Sequence, residues 1–200
     1  RVPYPLNDGG NLATNAMVRG YASQGWEVYL LSMNTTRHSV GKDVLDGLYK
    51  DIYKFEAVDV NNNVSPVGIM GNLLFSKLPN HATRFMHAHF QDAILNAINS
   101  FNPDAVQVES VFMSGYLPAI RKATNAALTL RLHNIEWQVW QRVADAAGNP
   151  LKKWYLSNLS ARIKNYEQHV WQQYDLLIPI TNTDAAVVNS SIAPKQMLTI

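Results

Sequence analysis

Short runs of apolar, β-prone residues alternate along this chain with longer stretches whose apolar positions recur every three or four residues. Trp26–Met33 (WEVYLLSM), bounded by Gly25 and Asn34, predicts a strand, and Asp51–Val60 predicts a second through Ile52, Tyr53, Phe55, Val58 and Val60. Ala105–Val108, Ala127–Leu132 and Leu176–Ile180 are short and almost wholly apolar, as strands buried on both faces are. Between them, Asn11–Ser23 predicts a helix stopped at Gly25. Thr83–Phe101 predicts another, with Met86, Phe90, Ala93, Ala97 and Phe101 in helical register. The longest helix is expected over Asn149–Tyr174, on the stripe Leu151, Tyr155, Leu159, Ile163, Tyr166 and Val170. Strand followed by helix, repeated five or six times, predicts an α/β, Rossmann-like three-layer domain with a mostly parallel sheet spanning 1–200.

Both ends read as cut. The Asn7-Asp8-Gly9-Gly10 turn opens a helix where a first strand would deliver the chain, yet only six residues precede the turn. The first strand is therefore expected to be missing. Met197–Ile200 reads as a strand that stops with nothing after it.

Composition narrows the class. The 200 residues are 47% hydrophobic, 16% charged and 10% aromatic, which excludes a disordered tail, a collagen-like fibre and a coiled-coil rod. Seventeen basic against fifteen acidic residues leave a net charge of +2, too small an excess for a general nucleic-acid binder. Without cysteine there is no disulfide frame, thiolate zinc site or cysteine nucleophile. No apolar run reaches the roughly 18–20 residues that span a bilayer, and the opening Arg1-Val2-Pro3-Tyr4-Pro5 does not read as a signal peptide. A cytoplasmic location is expected, at most peripheral to the inner membrane face.

Ligands of open parallel sheets bind beyond the carboxyl ends of the strands. The polar groups expected there are Asp8-Gly9-Gly10-Asn11, Asn34-Thr35, Glu109-Ser110, His133-Asn134 and Thr181-Asn182, all facing one crevice. Two glycines before a helix allow close backbone approach to a phosphate, or simply make a tight turn. The full GxGxxG pattern and the P-loop lysine are both absent, which disfavours a dinucleotide oxidoreductase or an NTPase. His133 is either a group that binds a sugar hydroxyl or phosphate, or a strand-end histidine bonded to backbone. Glu109 must be solvated, paired or functional, and pairing with Arg131 or His133 would make it structural. His87 and His89, two apart on a helix, would point some 200° apart and could not share an ion, so no metal is expected. Trp137, Trp140, Trp154 and Trp171 are expected as core or interface anchors. The stretch from Ile69 to Phe85, with Met70, Leu73, Leu74, Phe75 and Leu78 around Lys77 and Arg84, reads as core packing or as a membrane-surface segment.

Three stretches together resemble the amino-terminal domain of a family 4 (GT-B fold) glycosyltransferase: Arg1-Val2-Pro3-Tyr4-Pro5 through Asp8-Gly9-Gly10, Gln107-Val108-Glu109 to Tyr116-Leu117, and Leu130-Arg131-Leu132-His133-Asn134-Ile135-Glu136. Asn149–Tyr155 with its long helix is similar to the same family, and the resemblance covers essentially the whole chain. It implies one half of a two-domain retaining transferase, with the acceptor held mainly here and the nucleotide-sugar donor in a carboxy-terminal domain absent from this chain. It also implies a donor-phosphate site at Gly9, Gly10 and Asn11, a catalytic contact from His133 to the transferred sugar, and acceptor or sugar contacts from Asp8, Glu109, Asn134 and Glu136. The implied partners are a nucleotide-sugar donor, a glycan or lipid-linked acceptor and the missing domain. No cofactor is implied, since the nucleotide-sugar is a substrate. The family's paired glutamates, eight positions apart, are missing: Glu27, Glu56, Glu109, Glu136 and Glu167 include no such pair. This chain alone is expected to be inactive. Two rivals are a GT-B-type nucleotide-sugar epimerase and a stand-alone sugar- or nucleotide-binding module.

Overall fold

The computed structural model describes residues 1–63 and 79–200. Its elements run α1 (Gly9–Ser23), β1 (Tyr29–Thr35), a 3-10 turn (Thr36–His38), α2 (Lys42–Leu45), β2 (Lys54–Val60), α3 (Asn80–Thr83) and α4 (Ala88–Phe101). They continue as β3 (Ala105–Val108), a 3-10 segment (Val111–Tyr116), α5 (Leu117–Ala123), β4 (Ala127–Leu132), α6 (Glu136–Asp145), α7 (Pro150–Trp171), β5 (Leu176–Pro179) and α8 (Asn182–Ser191). The fold is α/β with parallel strands, as the alternating pattern predicts.

The residues gather into two compact units. The first comprises 1–63, 87–102 and 122–124; the described residues of the second are 79–86, 103–121 and 125–200.

In the first unit β1 and β2 pair in parallel, with Tyr29 opposite Lys54 and Thr35 opposite Val60. Parallel pairing requires a crossover of a dozen or more residues, here 36–53. Helix α4 packs on both strands. Val2 is buried, and its N–H donates to the Met33 carbonyl at 3.0 Å, so the arm before α1 lies beside β1. Helix α1 begins at Asp8, whose Oδ1 accepts the Asn11 N–H at 2.9 Å. It ends at Gly25, where a φ of +84° suits a residue without Cβ.

In the second unit the sheet order is β3-β4-β5, all parallel, with β4 in the middle. Leu128, Leu130 and Leu132 share one face of that central strand and are sealed from solvent, while the other face goes from exposed Ala127 through half-buried Thr129 to buried Arg131. Residues 196–200 follow β5 in parallel: Leu177 N–H donates to Gln196 O, Leu198 N–H to Leu177 O, and Ile200 N–H to Pro179 O. The strand-like reading of Met197–Ile200 thus corresponds to real backbone pairing. Helices α6 and α7 pack as an antiparallel hairpin over a four-residue link. Asn149 caps α7 with Pro150 at its first position.

Two expectations are corrected. The helix expected over Thr83–Phe101 is two helices, α3 and α4, broken at 84–87. There the Tyr116 hydroxyl donates to the Phe85 carbonyl, Met86 lies against Gly115, and His87 is extended as the N-cap of α4. The amphipathic stripe of α7 is buried only from Leu159 onward. Leu151 is 79% exposed and Trp154 is 63% exposed, so Trp154 is no core anchor, whereas Trp171 is. Trp137 and Trp140 are half-buried; Lys164 lies over the first ring and His81 against the second. Ile69, Met70, Leu73, Leu74, Phe75, Lys77 and Leu78 of the stretch named above lie outside the described residues, and of its named residues Arg84 and Phe85 are described. No helix among the described residues is long and apolar enough to cross a membrane.

The α7 stripe makes a contrast to measure. Ile163 is fully buried, and truncating such a side chain to alanine costs about 2–5 kcal/mol through lost transfer energy and a residual cavity. In denaturant melts Ile163→Ala is expected to lose that much stability, while Leu151→Ala on the same stripe changes it by about 0.5 kcal/mol or less. Equal losses would contradict the burial pattern.

Candidate functional site

Glu109 follows β3 and His133 follows β4, and these neighbouring parallel strands deliver both side chains to the same carboxyl edge. Glu109 Oε2 accepts from Arg131 Nη1 and from His133 Nε2, each at 2.9 Å, and Gln107 Nε2 donates to Oε1. Arg131 is 4% exposed, Glu109 28% and His133 22%. Burial would push the Glu109 carboxyl up. The His133 hydrogen bond, the Arg131 charge and the Gln107 amide outweigh it and hold the group below its ordinary value. Both pairings foreseen for Glu109 therefore exist at once. With Nε2–H donating to Glu109, His133 Nδ1 accepts when the ring is neutral and donates when it is charged.

Asn134 is exposed and Glu136 half-buried, immediately beyond. Burial raises the Glu136 carboxyl; the Asn134 side chain and the nearby His133 oppose that. Glu136 opens α6, a helix without a capping side chain of its own. Glu167, fully buried on α7, supplies the missing cap by accepting the N–H groups of Glu136 at 3.0 Å and Trp137 at 2.8 Å. Its carboxyl is pushed up to about 8 by burial, against those two donors and with the Glu136 charge adding to the rise. The sequence reasoning missed this residue, though a carboxylate four positions after Ile163 on the buried face of α7 was a usable signal.

The remaining candidates lie in the first unit. Gly9 and Gly10 form the first turn of α1. A Cβ on Gly9 would meet nothing within 4 Å, whereas one on Gly10 would lie 3.3 Å from Asp8 Oδ1. Gly10 thus serves the Asp8 cap. The Asn11 N–H lowers the Asp8 carboxyl against a small cost of burial, and Arg1, 2.6 Å away, adds to the lowering. Asn11 is buried, with its amide given to the Pro5 carbonyl at 2.8 Å. A carboxylate therefore stands at the α1 N-terminus, where a phosphate was expected to bind. Asp8 and Asn11 line a cleft of about 350 Å³ with Arg1, Tyr4, His38 and Ser39 among its other walls.

Other expected crevice residues have structural duties. Asn34 closes the 3-10 loop by accepting from Val40 N–H at 2.8 Å, and it donates to Asp59 at 2.7 Å. Thr181 caps α8 through Asp184 N–H at 3.0 Å. The histidine geometry also differs from expectation: His87 precedes its helix, so the His87 and His89 rings stand 5.7 Å apart, and His89 Nε2 is engaged with the Asp59 carbonyl. Among the described residues, no group of three or more His, Asp or Glu side chains is placed to hold a metal ion.

No family model matches the chain, and no curated protein matches it.

The carboxylates of half-buried Glu109 and fully buried Glu167 carry opposite pH signatures. Glu109 has a lowered value in the fold, so its stabilisation is complete above the unfolded value near 4.5 and is lost as pH falls through the folded one. Glu109→Gln, which strands Arg131, is expected to cost on the order of 3 kcal/mol at pH 7, and the gap to the parent protein should close toward pH 3. Glu167 is raised, so the fold binds the extra proton, and stability falls as pH climbs from about 4.5 to about 8. Glu167→Gln should flatten that slope. Urea melts across pH 3–8 check both, and a pH-independent gap for Glu109→Gln would contradict the ion-pair account.

Proposed function

We propose that this chain is the acceptor-side domain of a retaining glycosyltransferase, which moves a sugar from a nucleotide-sugar donor to a glycan or lipid-linked acceptor. The observation that carries the reading is the Glu109–His133 pair anchored by Arg131 at the carboxyl edge of adjacent parallel strands. Support also comes from the sequence resemblance, whose central motifs, Gln107-Val108-Glu109 and Arg131-Leu132-His133, furnish this cluster.

The chemistry suits a sugar. Glu109 fixes the His133 ring, and a ring held this way presents Nδ1 to a hydroxyl without having to reorganise. In the transfer, the bond from the sugar C1 to the diphosphate oxygen breaks. A bond from C1 to the acceptor oxygen forms on the same face, and the acceptor proton departs with the diphosphate. His133 would position the sugar hydroxyls while C1 becomes electron-poor. The leaving diphosphate needs a positive field, which Arg131 cannot supply because Glu109 neutralises it. That duty would fall to a donor-binding domain.

In the full-length protein, His133→Ala is expected to lower turnover by about 100-fold or more, within the range for a positioned polar group at the reacting centre. Its melting temperature should move by only a few degrees. Near-normal turnover in a folded His133→Ala protein would overturn the assignment.

A further inference from the structure

The tip of the α6–α7 hairpin carries a surface that the site does not use. The last turn of α6 exposes Arg142 and Val143, and Val143 is 45% exposed. The link 146–149 is short and mostly exposed, and α7 restarts with Pro150, Leu151, Lys152, Lys153 and Trp154, all in solvent. Leucine at 79% and tryptophan at 63% exposure within one helical turn is costly in water. One exposed leucine is ordinary, but a leucine and a tryptophan three positions apart on the same helical face, with a valine across the link, form a patch.

The geometry favours insertion end-on. Side chains of a helix lean toward its N-terminus, so the first-turn residues of α7 project past the helix end at the hairpin tip. Leu151 and Trp154 share a face, and Lys152 and Lys153 flank it on both sides. Their four-carbon stems can lie along the apolar patch while the ammonium groups reach outward. The charge is one-sided: Arg142, Lys152 and Lys153 stand with a single carboxylate, Asp145, which already accepts from Gln141 at 3.0 Å. Apolar side chains including a tryptophan, bracketed by cations, complement the headgroup boundary of an anionic bilayer, where indole rings settle and lysines meet lipid phosphates. An acidic protein partner would match the cations, yet it would leave unexplained the exposed Leu151 and Trp154 between them.

We propose that the α6–α7 hairpin tip docks this protein on an anionic membrane surface, with Leu151 and Trp154 entering the interface and Arg142, Lys152 and Lys153 contacting headgroups. This goes beyond the transferase reading and stands without it, since binding is read without turnover.

The test is cosedimentation of the full-length protein with vesicles of phosphatidylcholine alone and with 30% phosphatidylglycerol added, at about 0.1 M salt. Binding is expected to the anionic vesicles and to weaken with salt. Lys152→Glu with Lys153→Glu should lower the partition coefficient by about tenfold or more, as should Leu151→Asp with Trp154→Asp. These positions are exposed, so all variants should melt as the parent does. Quenching of tryptophan emission by brominated lipid should drop in Trp154→Phe, which separates insertion from simple charge attraction. The proposal is overturned if the protein ignores anionic vesicles, or if both double variants bind as the parent does. It is also overturned if binding is abolished only by Leu73→Asp with Leu74→Asp, which would put the contact elsewhere.

Discussion

A guanidinium buried to 4% exposure at the end of a leucine strand must be answered by a negative charge, and the site is organised around meeting that demand. Arg131 sits between Leu130 and Leu132 in β4, where the chain has no freedom to turn it outward. The parallel register places Glu109, one residue past β3, within reach. Once Glu109 answers Arg131, its second interaction is with His133, so a packing constraint ends by fixing an imidazole at the edge where α/β sheets receive ligands. Structural and functional readings of Glu109 are not alternatives here: the ion pair that stabilises the strand ends also orients the ring.

The same economy recurs at the helix starts. Asp8, Asn149 and Thr181 each satisfy the first turn of their own helix, while α6 borrows Glu167 from the helix it packs against. Because Glu167 holds the N–H groups of Glu136 and Trp137, the chain leaving His133 is tied directly to the α7 core. The loop that carries His133 and Asn134 is thereby anchored at both ends, by the Arg131 pair and by the Glu167 cap.

Legibility followed burial. β3 and β4 were readable to the residue because each is a short run of mostly apolar, β-prone residues, and alternate leucines of β4 are sealed from solvent. β1 starts three residues later than its apolar run, since Trp26 is exposed and paired with Tyr21 rather than with a strand. The break at 84–87 was invisible because it involves a hydrogen bond from the Tyr116 hydroxyl, 31 residues away in sequence, to the Phe85 carbonyl. At the site, the Glu109–Arg131–His133 cluster was foreseeable from unpaired charges beside apolar strands. Asn11, Asn34 and Thr181 were not separable from ligand-binding residues, because a polar side chain after a strand looks the same whether it binds a ligand or closes its own loop. The phosphate reading of Gly9-Gly10 meets a carboxylate, Asp8, already at the helix start.

The sugar transfer proposed for the cluster at β3 and β4 is decided by its product. The most direct measurement is incubation of the full-length protein with a panel of nucleotide-sugars and membrane or glycan extract, followed by mass spectrometry and proton NMR of the products. The account predicts acceptor-dependent release of nucleoside diphosphate and a new glycoside with the anomeric configuration of the donor. Rearranged or hydrolysed donor with no glycoside formed, or a product of inverted configuration, would contradict it.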